Sequence, residues 1–507
     1  MNAPKNPKWL LASQSELTLR YRLARQAQQA WATRTVEQRA RQLEPLRRLL
    51  DERLESLADL MQDENGKPRV EAIGHEVASC IGAVNYLCAK APELLSPRQV
   101  SLPWMPNRRA TVAHKPLGLV LVISPWNMPL SIPFSQVVSA LIAGNAVILK
   151  PSEVTPRIGA AIGELLEHCQ LPENLVTVLQ GDGALGARLI AEGPDKIFFT
   201  GSVATGRKVM AAAAVHPIPV CLELGGVDAL IVCEDADLDL ASSAATWGAT
   251  FNSGQICASV ERILVAQPIM ARFETLLARK FERLGPEDQG RITLDRQRAV
   301  YDRHLDDANA RELTFLAGGG YKDEDHLEPA LIRGVPRGDD VAASLVHLEE
   351  TFGPMTTLLP FRSDKDAARL HNASRFGLTA SVFSRSRPRA EALAKELKVG
   401  LVSINDIAAT LHAFGELPWG GVGESGFGRS HGEEGLMEFT RTQVLEQTRR
   451  GLFEFKRPWW YPYDPTQLEM MKRFTQAMAA DSWRDRAWRL GRTAHAALKM
   501  FKEAPRR

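Results

Sequence analysis

Two near-continuous apolar runs, LGLVLVISPW at 117–126 and NAVILKPS at 145–152, constrain this chain more than any other feature. Rich in β-branched residues and lacking a polar alternation, each reads as a strand buried on both faces, as in a parallel sheet covered by helices. The stretch between them, SQVVSALIAG, has helical character. Two further units follow, NLVTVLQ into ALGARLIAE and DKIFFTGS into TGRKVMAAAA, and VCLELGG and DALIVCE continue the β pattern. Strand and helix alternating in this way predict an α/β fold of the doubly wound, nucleotide-binding kind.

The segments around this core differ in style. From Leu17 to about Lys90, leucines at three- and four-residue steps between charges (Leu43, Leu46, Leu49, Leu50, then Leu54, Leu57, Leu60) predict a helical opening layer. Gln99 to His114 alternates around a Pro-Asn turn and predicts an extended hairpin. A second α/β region opens near Asp239 with DLASSAATWGATF, continues through ERILVAQ, SVFSRS, EALAKELK and GLVSIND, and closes near Gly428, with the boundary near 240–250. Beyond 450, KRPWWYPYDP is rich in proline and aromatics, and residues 466–507 carry 10 basic against 4 acidic side chains. Trp483, Ala487, Leu490, Ala494, Leu498 and Phe501 keep helical spacing there, which suggests a basic amphipathic helix that packs on protein or touches a membrane surface.

A chain of 507 residues should divide into two or three domains. With 62 basic and 60 acidic side chains it has no field that would point to nucleic acid, so a small molecule is the expected ligand. No signal-peptide core precedes Leu11, and no apolar window approaches the roughly 18 residues of a membrane span, which leads us to expect a cytoplasmic protein. Six cysteines (80, 88, 169, 221, 233, 257) show neither metal spacing nor a secreted framework, so reduced thiols are expected.

One of those thiols keeps unusual company. Cys257 ends the polar, glycine-containing segment Asn252-Ser-Gly-Gln-Ile-Cys257, a poor place for a cysteine that only fills a core. Thiol attack on a carbonyl needs a base and an oxyanion donor, and other segments offer both. Glu223 lies within the apolar CLELGG, where burial would raise its pKa toward that of a useful base. Asn127, in Pro125-Trp126-Asn127-Met-Pro, could donate its amide, as could the Cys257 N–H. For a dinucleotide there are two glycine patterns, Gly181-Asp-Gly-Ala-Leu-Gly186 and Thr200-Gly201-Ser202-Val-Ala-Thr-Gly206. Pattern alone does not choose between them. Lys150 and Glu153 emerge together at a strand end, where ribose hydroxyls could be held.

Taken together the segments resemble the aldehyde dehydrogenase superfamily over roughly residues 20–445, through PWNMP, GNAVILKPSE, FTGSVATG, LELGG, NSGQICAS, EETFGP and PWGGVGESGFGR in that order. Asn127 and Glu223 lie 130 and 34 residues before Cys257, as the family spacing requires. The resemblance implies Cys257 as a thiolate nucleophile, Glu223 as general base and Asn127 as oxyanion donor, with no metal. It implies cofactor contacts from Trp126, Lys150, Glu153, Gly201, Ser202, Gly206, Leu224, Glu350 and Phe352, and it selects Gly201–Gly206 over Gly181. The cofactor would be NAD, with NADP possible, and Glu153 would disfavour a 2′-phosphate. A doubly wound cofactor domain (1–98 and 117–244), a second α/β catalytic domain (245–439), an oligomerisation arm (99–116 and 440–455) and a C-terminal extension (456–507) follow from the same likeness. So does a homodimer or dimer of dimers. The stretches ICASVERILV and SGFGRSHGEEGLMEFTR look most like bacterial enzymes acting on carotenoid dialdehydes or on long-chain or aromatic aldehydes. Val227 and Thr351 depart from the usual motif residues. The rival readings are a coenzyme A-acylating enzyme, which would commonly lack Glu223, and a non-catalytic relative, which would have no need of Cys257, Glu223, Asn127 and Lys150 together.

Overall fold

The computed structural model describes residues 13–102, 108–323, 326–334, 344–407, 415–448, 461, 463, 465–491 and 493. Eighteen strands are present among them: β1 (Arg98–Val100), β2 (Arg108–Pro116), β3 (Leu119–Ile123), β4 (Ala146–Lys150), β5 (Val176–Val178), β6 (Lys196–Thr200), β7 (Val220–Glu223), β8 (Asp228–Val232), β9 (Val260–Ala266), β10 (Thr314–Ala317), β11 (Ala330–Arg333), β12 (Met355–Phe361), β13 (Phe376–Gly377), β14 (Thr379–Phe383), β15 (Leu401–Ile404), β16 (Val422–Gly423), β17 (Gly426–Phe427) and β18 (Thr440–Thr448). The chain forms two compact units, one of residues 1–98 and 112–443, the other of 99–111 and 444–507.

The larger unit holds two main sheets. In the first, ordered β17-β7-β6-β3-β4-β5, every pair is parallel except β17 on β7. Every residue of β3 and β4 is buried, which is why these strands read as unbroken apolar runs. The opening helices cover this sheet: Trp31 is fully buried and its indole N–H donates to the Leu141 carbonyl at 2.8 Å. The second sheet, β10-β11-β12-β9-β8-β14-β15, is parallel except for β10 on β11.

The passage between sheets differs from the sequence expectation. A boundary near 240–250 would leave VCLELGG and DALIVCE in one sheet, whereas β7 belongs to the first and β8 to the second. Both strands are apolar, so their composition carries no record of which neighbours they pair with; Leu224-Gly225-Gly226 makes the crossing.

Strands β1, β2 and β18 form a small three-stranded sheet. In the smaller unit, Arg108 pairs with Glu446 at 3.4 Å, and helix Pro465–Met478 meets a second helical stretch at 483–491 through an Arg489 bond to the Gln476 carbonyl, 2.9 Å. Trp483 and Trp488 are exposed at 74% and 60%, so the described part of this chain does not cover them. The Pro-Asn turn at 106–107, residues 449–460 and the last part of the expected amphipathic helix, from 494, lie outside the described residues. No helix among the described residues is long and apolar enough to cross a membrane.

Candidate active site

Four of the sequence-selected segments leave the first sheet side by side. In a parallel sheet the loops after the carboxyl ends of the strands gather polar groups at one edge. Here β3 leads into Trp126 and Asn127, β4 ends on Lys150, β6 leads into Gly201, and β7 ends on Glu223. Pairing sets Ile123 opposite Lys150 and Thr200 opposite Glu223, and the Gly201 N–H donates to the Glu223 carbonyl at 3.0 Å.

Cys257 comes from the loop before β9 in the other sheet. Asn252, Ser253 and Gly254 are left-handed in succession, with φ of 53°, 56° and 69°. Such a run is strained for Asn and Ser and persists only where the surroundings over-determine it. A side chain at Gly254 would strike the Gly353 carbonyl, and the Gln255 amide braces the turn by donating to the Asn252 and Arg291 carbonyls, each at 3.1 Å. Gly226 packs so closely on the Cys257 carbonyl that an added Cβ would sit 2.6 Å from its oxygen. The two sheets are therefore joined directly at the cysteine.

A buried polar network lies behind both loops. Lys67 and Glu76, each fully buried, pair at 2.7 Å. Lys67 Nζ also donates to the Asn127 carbonyl at 3.0 Å, and the Asn252 amide donates to the same oxygen at 3.1 Å. Glu76 accepts the N–H groups of Leu130 and Ser131 at the start of helix Ser131–Ala143, both at 2.9 Å, while Glu71 accepts the Asn252 N–H at 3.0 Å. Asn127 is thus fixed through its backbone. Among the described residues no group bonds its side-chain amide, and the Cys257 N–H is turned to its own sulfur. Removing one partner of a buried ion pair leaves an uncompensated charge, at a cost of about 3–5 kcal/mol. Lys67→Met is expected to lower stability by that amount in denaturant unfolding and to lower turnover as well, because the Asn127 carbonyl loses a donor.

Cys257 and Glu223 line one cleft. Glu223 is buried and neither carboxyl oxygen has a hydrogen-bond partner of good geometry. Burial pushes its pKa well above the ordinary carboxylate value; the Arg429 charge and the Ser430 hydroxyl oppose the shift without cancelling it. The Cys257 thiol is raised well above its usual value too, by burial first and then by Glu350, Asp228 and Glu223. Burial and these neighbours favour the protonated thiol, so attack as a thiolate calls for a group that takes its proton.

The expected cofactor residues fall into three groups. Lys150 donates to Glu153 at 3.0 Å. Ser202 caps helix Val203–Ala213, and Gly206 packs on Leu224, where a Cβ would come within 2.7 Å of a methyl carbon. Glu350 accepts the Gly226 N–H at 3.0 Å, and the Phe352 ring meets Trp126 edge-on at 5.5 Å. The rival glycine pattern is occupied by protein: the Asp182 carboxylate accepts the N–H groups of Ala184 and Leu185 at the start of helix Gly183–Ala191, so a phosphate would meet a negative charge there.

The sequence pattern of the aldehyde dehydrogenase family matches residues 8–445. The chain belongs to that family. It is 39% identical over 487 residues to the 4,4'-diapolycopene aldehyde oxidase of a Methylomonas species, covering 95% of this chain and 90% of that one. To a Mycobacterium ulcerans protein named for NADP(+)-linked succinate-semialdehyde dehydrogenase it is 37% identical, covering 84% and 83%. The structure is similar to that of betaine aldehyde dehydrogenase from Staphylococcus aureus in complex with NAD+, with a TM-score of 0.81, 28% identity, and 89% and 90% of the two chains covered.

In this family member several supporting residues carry no sequence signal of their own. Lys67, Glu71 and Glu76 sit in a charged helical stretch where solvated side chains are the rule. Glu261 falls inside a strand pattern, yet its carboxyl accepts the N–H groups of Thr351 and Phe352 near 3.0 Å and so sets the loop that carries Glu350. Ser430 and His431 line the cleft with Cys257, and His431 is held at φ 60°, a conformation rare for a side chain of its size.

Proposed function

We propose that this aldehyde dehydrogenase oxidises an aldehyde to the free carboxylic acid with NAD or NADP through a thioester on Cys257. The observation that carries this reading is the pairing, in one cleft, of the Cys257 thiol with a buried carboxyl whose oxygens have no hydrogen-bond partner of good geometry. As Cys257 Sγ bonds to the carbonyl carbon, its proton passes to Glu223, whose proton affinity is raised by the same burial. The carbonyl π electrons move to oxygen, which the Asn127 amide and the Cys257 N–H stabilise. A bound nicotinamide would supply the acceptor for the hydride that leaves the resulting thiohemiacetal. Glu223 passes that proton to solvent and then takes one from water, whose oxygen attacks the thioester carbon; the C–S bond breaks, the acid leaves, and the sulfur recovers its proton from Glu223.

The cofactor groups fit a dinucleotide on physical grounds. Helix Val203–Ala213 begins with a neutral serine cap, so its N-terminus can still receive phosphate, whereas the competing helix is already filled by Asp182. Lys150 and Glu153 would hold one ribose and Glu350 the other, with Trp126 and Phe352 beside the ring and Gly201, Gly206 and Leu224 along the pyrophosphate. Glu153 already bonds Lys150, and its charge would oppose a 2′-phosphate. In Glu153→Ser, kcat/KM with NADP relative to NAD is expected to rise about tenfold, equivalent to roughly 1.4 kcal/mol. An unchanged ratio would place the 2′ position elsewhere.

Product analysis with and without coenzyme A tests hydrolysis against acyl transfer; formation of a coenzyme A thioester in preference to free acid would overturn the reading. A homodimer or dimer of dimers is part of the same reading, with the β1-β2-β18 sheet as its arm, and sedimentation at micromolar concentration checks it. The relatives differ in the aldehyde they are named for, so the family by itself leaves the substrate open.

A further inference from the structure

Four features of the cleft bear on which aldehyde it accepts. One face is built by helix Ser131–Ala143, which presents Ile132, Ser135, Gln136 and Ser139 at three- and four-residue spacing. None of these carries a charge, and two are small. Trp419 and His431 also line the cleft, with burial holding the His431 imidazole neutral by lowering its pKa to about 4. No Lys or Arg is among the described residues that line the space. The nearby Arg429 spends its guanidinium on the carbonyls of Gly421 and Gly428, at 3.1 and 2.7 Å.

The helix itself offers no substitute for a cation. Its first N–H groups could have received a carboxylate, since a helix N-terminus is an anion site. Glu76 occupies them, bonding Leu130 and Ser131. The one charge that can appear on the wall is the Glu223 carboxylate, which has the sign that repels an acid.

Resting on the function proposed above, we infer that this cleft is selective for uncharged aldehydes and rejects those bearing a carboxylate within reach of the walls, such as short dicarboxylic semialdehydes. A second carboxylate brought beside Glu223 would lose its water without gaining a cation on the wall or a helix terminus, and it would share with Glu223 the one nearby charge, Arg429, whose guanidinium is turned to backbone carbonyls. An uncharged chain loses nothing comparable and gains contact with Ile132 and Trp419.

The test compares succinate semialdehyde with its methyl ester, which has similar reach and no charge, on the intact enzyme with NAD and with NADP. The ester is expected to be favoured in kcat/KM by roughly 100-fold or more. Ser135→Lys, which adds a cation to the wall, is expected to narrow that ratio at least tenfold by raising turnover of the acid. Comparable turnover of acid and ester by the natural enzyme overturns this inference and leaves aldehyde oxidation standing. Turnover of neither, with hexanal and benzaldehyde also inert, overturns the parent reading and this one with it. A Ser135→Lys enzyme that turns over the ester with an unchanged ratio shows that discrimination lies outside the cleft.

Discussion

Cys257→Ser should abolish aldehyde-dependent reduction of NAD or NADP, with a fall in kcat of at least about 10⁴-fold, because the covalent route has no substitute nucleophile. The fold should survive, since serine is close in size and the loop is braced by Gln255, Asn252 and Gly254 rather than by the thiol. The readout is cofactor reduction at 340 nm beside a thermal unfolding curve that matches the natural protein. Robust turnover by a folded Cys257→Ser enzyme would sink the assignment. The five other cysteines provide an internal control. Cys80, Cys169, Cys221 and Cys233 are buried and Cys88 is half-buried, none lines the cleft, and their replacement by alanine should leave kcat within a few-fold of the natural value.

The second large effect belongs to Glu223. In Glu223→Gln the amide keeps the shape of the side chain but cannot take a proton from water, so hydrolysis of the thioester should slow by about 10²–10⁴-fold. If its main task is that step, reduced cofactor should form in a rapid burst stoichiometric with active sites, followed by a slow steady state, and acyl-enzyme should be visible by intact mass. Loss of the burst itself would show that no other group replaces Glu223 in taking the thiol proton. A pH profile separates the two further. The raised Cys257 pKa predicts that kcat/KM climbs with pH through neutrality, since the attacking form needs the proton removed. Full activity sustained down to pH 5 would contradict a thiol that holds its proton.

Much of the larger unit was legible from periodicity. Strands β3 and β4 are apolar throughout because both of their faces are buried, and the leucine spacing before Lys90 marks helices that cover the first sheet. The candidate site was legible in another way, as isolated segments that share a chemical purpose. Cys257, Glu223 and Asn127 were selected because attack on a carbonyl needs a nucleophile, a base and an oxyanion donor. The structure brings Cys257 and Glu223 to one cleft, sets Trp126 against Phe352, and packs Gly206 on Leu224.

Other features were not legible, for stated physical reasons. The sheet change at Leu224-Gly225-Gly226 escaped because pairing partners are chosen by distant strands: β8 lies between β9 and β14. The role of Lys67 and Glu76 escaped because a charged pair in a helical stretch normally faces water, and only the approach of the Asn127 and Asn252 loops encloses this one.

By itself, then, the order of residues determined the α/β class, the alternation that builds parallel sheets, and the chemical cast of the site, because burial on both strand faces and the needs of thiol attack both leave local patterns. Tertiary structure alone decided which carboxyl groups crowd Cys257, which described residues line the cleft beside it, and the identity of the residues that brace the loops. Those properties depend on which charges end up near one another and how much water is removed around them, and neither quantity is written in any short segment of the chain.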